Sequence, residues 1–161
     1  MAKKNDVKTN AMRILEKNKI SYDAISYEVD EFVDGIHCSE ISGAPVEESY
    51  KTLVMRGKSN QFYVFVIPVA GEVDLKAAAR AAGEKSVEMI HVKELTPITG
   101  YVRGGCSPLC MKKQFPTIID ASAESLEQFY VSGGKIGLTL HLAVSDLQKV
   151  TRAVFADVVR K

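Results

Sequence analysis

The chain lacks any apolar run long enough to span a bilayer, and no apolar stretch with a small-residue cleavage site follows Met1-Ala2-Lys3-Lys4. A cytoplasmic protein with no membrane segment is therefore expected. Cysteine is scarce: Cys38, Cys106 and Cys110 are an odd set that makes no secreted disulfide framework and fits a reducing compartment. An excess of charge is missing too. With 21 Lys and Arg against 20 Asp and Glu, the net charge is +1, which excludes a free-standing general nucleic-acid binder and leaves such binding to a local patch or a partner. No repeat, low-complexity tract or linker interrupts the sequence. What is present is 161 residues, 46% apolar and 25% charged, enough for one well-buried core, so a single domain over 1–161 is expected.

Periodicity supplies the elements. Ala11, Ile14 and Leu15 follow helical spacing behind an Asn10 or Thr9 cap, and Ser21 to Val29 alternates as a strand. A short helix is possible from His37 to Ile41. Tyr50 to Arg56 and Gln61 to Pro68, joined by Gly57-Lys58-Ser59-Asn60, form the clearest hairpin. Asp74 to Ala82 is an alanine-rich helix with an acidic cap and Gly83 as stop. Val87 to His91 reads as a short strand, with a turn through Leu95. Thr117–Asp120, Phe129–Ser132 and Leu138–Leu142 read as strands, with a helical turn over Ala123–Gln128. Leu147, Val150, Val154 and Val158 predict one closing helix over Ser145–Val159 behind a serine cap. Strands and helices mingle without a βαβ period, so the class is mixed α/β (α+β), with a mixed sheet that curls toward a barrel.

One stretch organises the rest: Thr99 to Lys113, TGYVRGGCSPLCMKK, read as a glycine turn after an aromatic strand end. Gly104 and Gly105 let the backbone approach another group or take positive φ, and Pro108 fixes the next bend. Such a loop aims successive N–H groups into a concavity that suits phosphate, carboxylate or an oxyanion, though isolated glycine-proline runs are also plain turns. A second glycine turn, Val131-Ser132-Gly133-Gly134-Lys135-Ile136-Gly137, has the same freedom. Lys51, inside the apolar strand Tyr50–Val54, faces either solvent or a cleft. Together, a strand lysine, two glycine turns and the Ser107-Pro108 bend supply charge and donors around one anion. Lys112-Lys113 beside the loop is either a solvated face or a contact for a sugar-phosphate end.

Two other chemistries are weaker. Cys106-x-x-x-Cys110 with His37-Cys38 has enough ligands for zinc, yet no second close-spaced pair, and cysteine also serves as a small core residue, so no metal and no cofactor are expected. A Ser-His-Asp arrangement would recruit Ser107 with His37, His91 or His141, none of which has a motif around it.

In order along the chain, LEKNKISY, YKTLV, PVAGEVDLK, TGYVRGGCSP, FPTIID and YVSGGKIGL resemble the YbaK/EbsC family of cysteinyl-tRNA deacylases, relatives of the editing domain inserted in bacterial prolyl-tRNA synthetases. The resemblance covers nearly the whole chain. It implies a barrel-like mixed sheet flanked by helices, and a cleft where Lys51 meets the Gly104-Gly105 loop. Lys51, Thr52, Tyr27 and Gly105 are then catalytic, with Gly104 or Gly105 N–H on the oxyanion, Lys51 on the terminal phosphate or sugar, and Thr52 and Tyr27 orienting. Ser107, Thr139, Gly133 and Gly134 would line the substrate, and Lys112 and Lys113 would meet tRNA. The implied substrate is mischarged cysteinyl-tRNA(Pro), attacked by its own cysteine thiol, with prolyl-tRNA synthetase as partner. A catalytically silent tRNA-end or synthetase-binding module of the same fold is the alternative. Two positions depart from the family pattern: Leu109-Cys110 stands where an apolar residue and glycine usually follow Ser-Pro, and Thr139 stands where an acidic residue is often found.

Overall fold

The computed structural model describes residues 8–26, 43–103, 105–109, 111–113 and 115–160. Along them run α1 (Asn10–Lys17), β1 (Tyr22–Ser26), β2 (Tyr50–Gly57), β3 (Phe62–Pro68), α2 (Leu75–Ala82), β4 (Val87–Met89), α3 (Val92–Thr99), β5 (Thr117–Asp120), β6 (Gln128–Ser132), β7 (Leu138–Ala143), α4 (Val144–Thr151) and β8 (Val154–Ala156). Short 3₁₀ turns precede β2 and follow β5. The expected helix over His37–Ile41 lies outside the described residues.

The strands form an antiparallel sheet ordered β1-β7-β6 and a mixed sheet ordered β4-β2-β3-β5-β8, in which β3, β5 and β8 are parallel. Strand β4 pairs only with Met55, Arg56 and Gly57, so the first half of β2 keeps a free edge. That edge meets β6 through a parallel bridge between Ser49 and Tyr130. The two sheets therefore run on as one curled surface, mixed as expected and not closed into a barrel.

Alternation along each strand gives this surface two faces. Tyr50, Val66, Phe129, Val131, Leu138, Leu140 and Leu142 point inward to the largest cluster, which α1 and α4 cover with Leu15 and Leu147. Across the join, the rings of Tyr50 and Phe129 lie 5.2 Å apart. Met55, Tyr63, Phe65, Ile67 and Ile118 point outward on the five-stranded side, where Ala78 and Ala79 of α2 seal them. Each fully buried side chain of this size contributes roughly 1.5–3 kcal/mol. No helix is long and apolar enough to cross a membrane among the described residues.

Local chemistry explains most element ends. The Thr9 side chain accepts from Met12 N–H and starts α1, while Asp74 accepts from Lys76 and Ala77 N–H and starts α2. Gly83 ends α2 at φ 75°. Three expectations are corrected. Residues 92–99 are a helix, because the Glu94 carboxylate reaches back to His91 N–H at 2.9 Å and Pro97 stands so near the end that it removes little of the ladder. Tyr101 thus follows a helix closed by Gly100 at φ 89°, not a strand end. The closing helix starts at Val144 behind Ala143 and stops at Arg152, which takes φ 59°. Its predicted second half is β8, paired with β5, and Val154 there is 56% exposed.

Candidate active site

The face opposite the main cluster is apolar under α2 but polar where the three-stranded sheet lies. Thr139 pairs with Ser132 on one side and Ile25 on the other, and His141 pairs with Tyr130 and Asp23. All these side chains point away from Leu138, Leu140 and Leu142, because residues directly across a pair share a face. Tyr130 and His141 stack with centroids 4.1 Å apart. Ser49 bridges Tyr130, and the register set by that bridge puts Lys51 level with Ser132. Lys51 also pairs with Ile67 of the outward cluster, which fixes it on this same outer face. Lys51, Ser132 and Thr139 thus form one row at the ends of β6 and β7. Among the described residues, Lys51 makes no ion pair or side-chain hydrogen bond.

The glycine turn that joins β6 to β7 borders this row. Gly134 and Gly137 take φ values of 106° and 86°, open to glycine at little cost. Gly133 donates its N–H to Leu138, and a Cβ on it would fall 2.6 Å from Leu138 Cγ. Ser132 Oγ accepts from Gly134 N–H at 3.3 Å, which leaves its own proton to donate outward. Sequence reading passed Ser132 over as a strand residue. The alternation of Gln128–Ser132 was the signal that would have found it.

The central loop meets the turn from behind. A Cβ on Gly105 would lie 2.8 Å from Lys135 Cα and 2.9 Å from Ile136 N, so glycine is required there for close approach. Positive φ is not the reason, since Gly105 is absent from the residues that adopt it. Its N–H donates to the Val102 carbonyl at 2.9 Å. Of the two expected oxyanion donors, Gly104 or Gly105, the Gly105 N–H is thus engaged inside the loop. Gly104, Cys110 and Tyr27 lie outside the described residues.

Ser107 also differs from expectation. It is fully buried, and its Oγ accepts from Leu109 N–H at 3.2 Å, which closes the Ser-Pro bend and takes it out of a substrate wall. Thr52 points inward between Tyr50 and Val54, opposite Lys51, and pairs with Val66. Its Oγ1 is buried and finds no hydrogen-bond partner among the described residues. The two neighbours in the implied catalytic set therefore serve different faces of β2. Lys112 and Lys113 are exposed beside the loop, and Lys112 Nζ lies 3.4 Å from the Pro97 carbonyl.

Among the described residues, neither the cysteine nor the histidine nearest this site is set up as a nucleophile. Burial pushes the Cys106 thiol up to about 12, against a hydrogen bond with Thr99 that acts the other way, so it is not a thiolate at neutral pH. His141 Nδ1 lies 4.0 Å from Asp23, but its ring is stacked on Tyr130. Among the described residues no three His, Cys, Asp or Glu side chains gather to hold a metal ion.

Comparison with known proteins agrees with this architecture. Residues 37–150 match the aminoacyl-tRNA editing domain family. An Enterococcus faecalis protein, EbsC, proposed as a Cys-tRNA(Pro)/Cys-tRNA(Cys) deacylase, is 41% identical over 160 residues, covering 99% of this chain and 98% of its own. The solved structure of a proposed trans-editing enzyme for prolyl-tRNA synthetase superposes with a TM-score of 0.82 at 21% identity, over 96% of this chain and 99% of that one. A hypothetical protein of known structure superposes with a TM-score of 0.86 at 21% identity, over 94% and 100%. The curled sheet, its polar outer row and these matches together establish that the chain belongs to the aminoacyl-tRNA editing domain family.

Proposed function

We propose that this protein is a trans-editing deacylase that removes cysteine from mischarged cysteinyl-tRNA(Pro), acting in the cytoplasm alongside prolyl-tRNA synthetase. The observation that carries the reading is the row of one cation and two hydroxyls, Lys51, Ser132 and Thr139, on the outer face, with no activated thiolate or paired histidine beside it among the described residues. The family match and the likeness to EbsC support the substrate class.

In the reaction, the substrate's own cysteine sulfur attacks its ester carbonyl. A carbon–sulfur bond forms, the bond to the terminal ribose oxygen breaks, and the thiol proton passes to that oxygen, releasing tRNA and a cyclic thiolactone that water then opens. The ring holds sulfur, Cβ, Cα and the carbonyl carbon. It is strained, so the protein's work is to hold the thiol against the carbonyl, where the held geometry lowers the barrier to attack, and opening of the thiolactone by water makes the removal irreversible. Lys51 serves the terminal phosphate or sugar, and the Ser132 hydroxyl donates to the carbonyl oxygen as charge develops there. Lys112 and Lys113 meet the backbone of the tRNA end. With a net charge of +1, selection of the tRNA body is left to the synthetase.

Incubating the pure protein with a panel of aminoacyl-tRNAs tests this. Cysteinyl-tRNA(Pro) is expected to lose its acyl group and prolyl-tRNA(Pro) to keep it. A protein that binds the tRNA end yet leaves every ester intact would instead be the silent binding module.

A further inference from the structure

Thr9 does two things at once. Its hydroxyl oxygen accepts from Met12 N–H at 3.2 Å as the α1 cap, and its proton goes to the Gly133 carbonyl at 2.6 Å, 124 residues along the chain. Gly133 directly follows Ser132. The turn is held on other sides as well. A Cβ on Gly134 would meet Tyr101 Cε1 at 3.2 Å and Thr9 Cβ at 3.4 Å, and Tyr101 is itself fixed by donating to the Leu109 carbonyl. Gly105 presses its backbone on Lys135 and Ile136 from the third side. Of these contacts, the Thr9 hydrogen bond is the one made to the Gly133–Gly134 peptide, whose N–H in turn binds Ser132 Oγ.

We propose that Thr9 is a positioning residue for the deacylation: by holding the Gly133 carbonyl it fixes the backbone that aims the Ser132 hydroxyl. The inference rests on the outer-face row being the reaction site. Closure of a strained ring makes the rate sensitive to small displacements, and a shift of about 1 Å in a supporting group costs on the order of 100-fold.

The cap and the clamp are separable. Aspartate is as good a helix cap as threonine, because its carboxylate accepts from Met12 N–H, but it has no proton for the Gly133 carbonyl. Serine keeps both. Wild type, Thr9→Asp, Thr9→Ser and Lys51→Ala are compared for kcat and KM on cysteinyl-tRNA(Pro), with thermal melts beside them. Thr9→Asp is expected to keep α1 capped and the protein folded, with a melting temperature lowered only modestly by loss of the Gly133 hydrogen bond, while kcat falls about 10–100-fold and KM changes little. Thr9→Ser is expected to recover most of that loss. If Thr9→Asp keeps wild-type kcat while Lys51→Ala has lost it, Thr9 only caps a helix and the proposal is overturned, with the site intact. Loss of kcat in step with a lowered melting temperature in both Thr9 variants overturns it too. Full turnover by Lys51→Ala removes the reaction site itself, and the proposal falls with it.

Discussion

Lys51 and Thr52 are neighbours in sequence and opposites in the fold. Lys51 lies on the outer face of the curled sheet, level with Ser132 and without a partner among the described residues, while Thr52 lies on the inner face between Tyr50 and Val54. The inner face is bound by packing: most of its members are buried apolar groups, and the buried Thr52 Oγ1 among them has no hydrogen-bond partner among the described residues. The outer face carries hydroxyls and a cation in a row that no core requires. The pleat of a single strand thus puts two adjacent residues of one motif on opposite faces, one in the polar row and one in the packing.

Breaking the outer side gives the largest expected effect. Lys51→Ala should lower deacylation of cysteinyl-tRNA(Pro) by about 100-fold or more, because the acyl end it positions through the terminal phosphate or sugar is then misplaced by about 1 Å. The circular dichroism spectrum and melting temperature should hardly change. Near-normal turnover would remove Lys51 from the site.

Gly105→Ala sits between the two faces and should disturb both. Its methyl would enter the Lys135 and Ile136 backbone, so stability should fall by about 1–3 kcal/mol in urea unfolding, and turnover by roughly tenfold as the turn beside Ser132 moves. An alanine variant with unchanged stability would show that the loop and the turn do not pack as described.

The inner side should respond in the opposite sense. Thr52→Val removes a buried hydroxyl without a partner and places a β-branched apolar residue in a strand, so stability should rise by about 1 kcal/mol with turnover unchanged. A large loss of activity in this stable variant would return Thr52 to the catalytic set.

Cys106 gives the smallest effect, confined to alkaline solution. Its thiol is pushed from 9.0 up to about 12 in the folded protein, so above pH 9 the unfolded chain loses a proton that the native one keeps. Stability then falls as pH rises between those values. Cys106→Ala should flatten that slope in melts taken across the range, and an equally steep slope in the variant would assign it to other groups.

These contrasts also show what could be read in the sequence. The β2–β3 hairpin, α2 with its Asp74 cap and Gly83 stop, and the β6–β7 pairing are local signals that packing reinforced. Helix α3 was hidden by Pro97, and β8 by valines whose spacing suits either a helix or a strand until Arg152 ends α4. The two glycine turns were visible as candidates, but not their relation: Gly105 needs no side chain because the Lys135 backbone occupies that space, a fact held by two segments far apart in the chain. Ser107 looked accessible in a glycine-rich loop and is sealed. Which of two adjacent strand residues lies on the outer face, level with Ser132, depends on the Ser49–Tyr130 bridge and the Ile67 pairing, and no motif records it.

The central claim is that the substrate supplies the attacking thiol and the outer-face row only holds it. Cysteinyl-tRNA(Pro) and S-methylcysteinyl-tRNA(Pro) presented to the same protein test this most directly, with binding of a non-hydrolysable S-methyl analogue measured alongside. The account predicts that the free thiol is cleared through a thiolactone detectable by mass before free cysteine appears, while the methylated ester binds and persists. Water attack would treat the added methyl as a modest steric burden, a loss on the order of tenfold. Rapid, enzyme-dependent release of free S-methylcysteine would contradict the account.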